Sequence, residues 1–158
     1  MNSDVIEAFM ASTTAVFETI LGVPVKSNQP SGDSPIVARG VSGIIGLTGV
    51  ISGDIIVCFD ESIAIKTTGI MLGSEPGELN DDVVDAVGEL TNMIAGNAKG
   101  RLEKYNLSLA LPTVILGSGH RIGFKSGIKP LSIHFDSELG SFSVELGLSE
   151  ASVPVGAA

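Results

Sequence analysis

The sequence of this chain changes its hydrophobic period along its length. Leu131, Ile133 and Phe135 alternate with Ser132, His134 and Asp136, and Phe142, Val144, Leu146 and Leu148 alternate with Ser141, Ser143, Glu145 and Gly147. A period of two belongs to a pleated strand whose successive side chains point to opposite faces. Two such runs in succession predict an antiparallel hairpin with one dry face and one wet face. The dry face needs a cover, and the residues before it supply one in a helical period.

Asn80 can cap a long helix from Asp81 to about Tyr105, with Asp81 and Asp82 in the first turn, where negative charge suits the helix dipole. At about 100° per residue, Val84, Val87, Leu90, Thr91, Ile94, Ala98 and Leu102 form one stripe. A first helix is expected over Asp4–Leu21, with Val5, Phe9, Val16, Phe17 and Ile20 on its apolar face, closed by Gly22 and Pro24. Val25–Ser34 reads as a short strand and loop, and Ile36–Phe59 as two strands turned near Leu47–Gly49. Asp60 caps a second helix that Gly73 stops after Leu72, Pro112 opens a strand over Thr113–Gly117, and Gly117–Gly127 reads as a glycine-rich loop. Helix, strands, two helices, strands is the order of an α+β fold, with long helices packed on one face of an antiparallel β-sheet. Residues 1–150 are expected to form a single domain and 151–158 a frayed tail.

Charge narrows the partners. The chain of 158 residues carries a formal net charge of -9, which argues against nucleic acid or an anionic membrane, since both need a basic patch. Gly40–Cys58 has Asp54 as its one charged residue, but its glycines and β-branched residues fit strands better than a membrane span. The first ten residues carry Asp4 and Glu7 without a basic residue, unlike a signal peptide, and the single cysteine, Cys58, leaves no internal disulfide. A cytoplasmic protein is the expectation.

The stretch VGELTNMIAGNAKG, Val87 to Gly100, stands out within the long helix. Opposite the stripe lie Asp85, Glu89, Asn92, Lys99 and Glu103, with Gly88, Gly96 and Gly100 on or beside that side. Each interior glycine costs about 1 kcal/mol relative to alanine, a large cost against a total stability of ~5–15 kcal/mol. Asp85 and Glu89 are like charges four residues apart, which repel mildly. A charged helix face is commonly just a solvated one, and Glu-x-x-Asn is a frequent spacing. Yet local costs gathered on one exposed face are where function overrides propensity, and missing side chains leave room for another surface.

The longer string DAVGELTNMIAGNAKGRL, followed by LPTVILG, resembles the CheC/CheX/FliY family of bacterial chemotaxis phosphatases, and CheX most closely. That family carries an acidic or serine residue, three residues, Glu, two residues, Asn, and a proline further on. Asp85, Glu89 and Asn92 match, and Pro112 fills the proline position after a shorter segment than the CheC type has. TGVISGDIIVCF then DESIAIKTTGIMLG follow the family's strand-then-helix order. CheC-type members repeat Glu-x-x-Asn in the first helix. Here Glu7 precedes Met10 and Glu18 precedes Leu21, so one site per chain is expected. The resemblance implies hydrolysis of the aspartyl phosphate of a CheY-like response regulator, with Asn92 orienting water and Glu89 pairing with the receiver's lysine. Asp85, Gly88, Gly96 and Lys99 would meet the partner. No cofactor is expected on this chain, Mg²⁺ is expected on the receiver, and a homodimer through the sheet or its edge strands is implied. A non-catalytic receiver-binding module or regulator on the same fold is the alternative. His120 and His134 lack partners at metal-ligand spacing, and Cys58 in IIVCF reads as a small buried hydrophobe.

Overall fold

A computed structural model describes residues 1–32 and 34–150. The α+β expectation holds: helices α1 (Ser3–Val16), α2 (Glu61–Leu72) and α3 (Asp81–Arg101) pack on one face of an antiparallel sheet. Its strands are β1 (Val25–Ser27), β2 (Ile36–Thr48), β3 (Ile51–Asp60), β4 (Ser108–Leu109), β5 (Thr113–Ile122), β6 (Leu131–Ser137) and β7 (Gly140–Glu150). They run in the order β1-β6-β7-β3-β2, and β4 and β5 share the remaining edge of β2. The elements of residues 3–150 thus share one sheet and one core. The expected tail, 151–158, lies outside the described residues. Among the described residues no helix is long and apolar enough to cross a membrane.

The core has an aromatic centre. Phe142 stacks on Phe17 with ring centroids 4.6 Å apart and on Phe135 at 5.2 Å, and Phe59 meets it at 5.3 Å. Rings at such spacings add attraction beyond their buried area. Helix starts follow the local chemistry of the sequence: Asp60 accepts the Ile63 N–H at 2.9 Å and Asn80 accepts the Val83 N–H at 3.2 Å.

Several sequence expectations shift where distant partners decide. The first helix widens into a π-helical turn over Phe17–Leu21, where a turn takes more residues. Leu21 is buried in consequence, and Ile20 is left 47% exposed. The long helix ends at Arg101, and a short 3₁₀ turn, Glu103–Tyr105, carries Tyr105 inward. Its stripe begins at Val83 rather than the half-buried Val84 and takes in Ala86 and Ala95, because α3 is covered on both flanks. The expected loop from Gly117 is strand as far as Ile122, paired with β2; the register slips between Val37 and Arg39, and Gly119 opposite takes φ 87°, which suits glycine. The wet face of the final hairpin holds for His134 and Asp136 but not for β7. Ser143, Glu145 and Gly147 are buried there, with Phe124, from the connection between β5 and β6, lying against Gly147. Glu145 is satisfied by the hydroxyls of Ser132 and Ser143, the latter donating at 2.8 Å.

One contact fixes α3 on the sheet. Gly43 in β2 faces Thr91 of α3 so closely that a Cβ at 43 would collide with the Thr91 hydroxyl, which donates to Val87 O at 2.7 Å. Gly43→Ala is therefore expected to destabilise the protein by roughly 1–3 kcal/mol through overpacking, and Thr91→Ala in the same chain to recover much of that loss. Urea unfolding of the two single variants and the double variant measures it; additive losses would mean that the two residues are not in conflict.

Candidate functional site

With its stripe seated on the sheet, α3 turns its other side to solvent. Asp85, Glu89, Asn92, Gly96 and Lys99 are all exposed, as their helical spacing predicts. Glu89 and Asn92 stand three residues apart, so both side chains leave the same outer strip. Among the described residues, neither side chain makes a hydrogen bond or ion pair within the chain, and the same is true of Asp85. The strip thus offers two free carboxylates and a free carboxamide, an acceptor and donor in one group.

The three glycines of the helix have two separate causes. Gly96 and Gly100 face open space, with no atom within 4 Å of where a Cβ would be. They border a groove of about 430 Å³ lined also by Lys99, Glu103, Asn106 and Leu107. Gly88 differs from expectation. It is buried, and a Cβ there would lie 3.5 Å from Val114 and 3.9 Å from Pro112. Its missing side chain admits β5 of this same chain, so the space beside it is already filled. The structure thereby brings Pro112 next to the residue preceding Glu89. Asn106 and Leu107 thus reach α3 at the groove, and Pro112 reaches it at Gly88.

The other chemistry-bearing residues lie elsewhere. Cys58 is buried on the sheet face away from the helices, and desolvation with the neighbouring Glu145 charge pushes its thiol up to about 12, leaving it protonated and unreactive. His120 and His134 are exposed on β5 and β6. Among the described residues no three His, Cys, Asp or Glu side chains are grouped as metal ligands. A larger groove, about 510 Å³, runs between α1 and residues 27–30, lined by Ile6, Met10 and Pro30 with Glu7 as its one charged side chain.

Known proteins resemble this chain over a segment that includes the helix. The family described as chemotaxis phosphatase CheX matches residues 41–136, which contain all of α3 and Pro112. The CheY-P phosphatase CheX of Thermotoga maritima is 31% identical over 142 residues, covering 87% of this chain and 92% of that protein. The chemotaxis protein CheX of Vibrio vulnificus superposes with a TM-score of 0.84 at 32% identity, over 93% of this chain and 100% of that one. A CheX from Borrelia burgdorferi, solved in complex with CheY, BeF3 and Mg²⁺, superposes with a TM-score of 0.79 at 25% identity, over 94% and 100% of the two chains.

Open space at Gly96 and Gly100 has a consequence for stability. Alanine at either position is expected to raise it by about 0.5–1 kcal/mol, because the helix gains propensity without a clash. Denaturant midpoints measure this, and a loss of stability in either variant would mean that the backbone there is strained in a way glycine relieves.

Proposed function

This chain belongs to the CheX family of chemotaxis phosphatases, and from that premise we propose that it hydrolyses the aspartyl phosphate of a CheY-type response regulator. The observation that carries the reading is the free Glu89–Asn92 pair on the outer strip of α3, inside the segment that matches the family. The complex of the Borrelia relative with CheY, BeF3 and Mg²⁺ supports a receiver as partner, since a beryllofluoride has the size and charge of a phosphoryl group.

The chemistry asks little of the protein. An acyl phosphate is already activated, so catalysis consists mainly of placing a water in line and matching charge. Asn92 accepts a hydrogen bond from the attacking water through its amide oxygen and donates one to a phosphoryl oxygen through its amide nitrogen. Water attacks phosphorus, the bond to the aspartyl oxygen breaks, and the receiver regains its carboxylate as inorganic phosphate leaves. Glu89 pairs with the receiver's active-site lysine and sets the register of the two proteins. The Mg²⁺ arrives with the receiver. Asp85 adds to the negative potential that draws the lysine in, Lys99 edges the groove, and Gly96 lets the partner's surface come close to the helix. Gly88 acts within the chain, holding Pro112 beside Glu89.

A homodimer is proposed through β5. This edge strand pairs with β2 alone among the described residues, and Ile115 and Leu116 on it are exposed. An unpaired apolar edge is a template for a second strand. Light scattering at micromolar concentration should give twice the chain mass; a monomer mass would remove this part of the proposal.

Asn92→Ala is expected to slow dephosphorylation by about 100-fold or more while receiver binding survives, because the amide acts in the transition state. Glu89→Ala should weaken the complex and make the remaining affinity less dependent on salt. Both positions are exposed, so melting should move little. The lifetime of a phosphorylated receiver against enzyme concentration is the measurement. Wild-type rates in Asn92→Ala would sink the mechanism and favour a binding module that does no chemistry.

A further inference from the structure

The edge of the sheet beside the site contains a bulge. Leu47 pairs with Leu109 and Ile44 with Thr113, so three steps along β2 are matched by four along the edge. Ala110 still keeps register, donating its N–H to Gly46 O at 2.9 Å. The extra residue therefore falls at Leu111–Pro112. Pro112 has no N–H for the ladder and turns onto Gly88. Leu111 is turned the other way, to solvent, with 89% of its surface exposed, the most of any large apolar side chain among the described residues.

Bulges re-aim side chains and gather next to active sites. A single exposed leucine needs no explanation in general. This one is held by a proline that packs against the helix residue preceding Glu89, and the chain leading to it, at Asn106 and Leu107, lines the groove beside Gly96. The strip itself is polar, and charges at a rim give steering and register more than affinity. Affinity in such interfaces comes from an apolar anchor entering a recess on the partner.

We infer that Leu111 is a specificity-determining anchor for the phosphorylated receiver, entering an apolar recess beside the receiver's phosphorylation site while Glu89 and Asn92 engage the lysine and the phosphoryl group. This rests on the receiver-phosphatase reading above. A receiver is favoured over a second copy because Pro112 ties Leu111 to the α3 strip, whereas the free hydrogen-bonding edge that a second copy would extend lies further along β5.

The test uses the full chain with the CheY-type receivers of its source organism, phosphorylated for turnover and bound to BeF3⁻ and Mg²⁺ for affinity. Leu111→Ala should raise KM and the Kd for the activated receiver by roughly ten-fold. The kcat at saturation, the melting temperature and the oligomeric mass should stay as in wild type, and Leu111→Met should restore most of the affinity. Unchanged KM and Kd in Leu111→Ala would overturn the anchor and leave the phosphatase reading intact. A fall in oligomeric mass at the same concentration would assign Leu111 to contact between copies and overturn it too. Wild-type protein that binds a receiver through Leu111 but never shortens its phosphate lifetime would uphold the anchor and defeat the phosphatase reading. Protein that neither binds nor dephosphorylates any receiver would defeat both.

Discussion

The seat of α3 on β2 at Gly43 and Thr91 is the contact on which the site depends. β2 lies between β3 on one side and the β4–β5 edge on the other, so a helix fixed on it is referenced to both parts of the sheet. Because a Cβ at 43 has no room, the helix comes closer to the strand than ordinary side chains allow. The buried side of α3, from Val83 through Val87, Leu90, Ile94 and Ala98, is then consumed by the core. Rotation about the helix axis is no longer free, and Glu89 and Asn92 are held outward on a rigid element. Side chains on such a base are held to a narrower range of positions than side chains on a loop.

What could be read from the sequence divides along the line between local and distant causes. The caps at Asp60 and Asn80 are local hydrogen bonds within three residues, and both form as their residue types predict. The outer strip needs only helical geometry, so Asp85, Glu89, Asn92, Gly96 and Lys99 fall where the spacing puts them. Gly88 does not, since a helical wheel sets it beside the polar side and only Pro112 and Val114, far along the chain, decide that it is buried. The same holds for Glu145, which looks like a wet-face residue but is buried with its carboxylate taken up by the hydroxyls of Ser132 and Ser143. The exposure of Leu111 likewise depends on a distant cause, the one-residue mismatch with β2.

The three glycines of α3 also give the site a direction. Gly88, on the N-terminal side of Glu89, is closed by this chain's own Pro112 and Val114, so nothing else can approach the helix backbone there. Gly96 and Gly100, on the C-terminal side of Asn92, are open and continue into the groove toward Leu107. Glu89 and Asn92 therefore lie at the boundary between a walled half and an open half of the same strip. The second half of the strip is open, and the first is bounded by Pro112 and Val114. That asymmetry makes the two halves of the strip different in shape, which a uniform helix with a symmetric charged face would not be. The helix propensity given up at 88 lets β5 pack against α3, while that given up at 96 and 100 leaves the helix backbone open on its outer side.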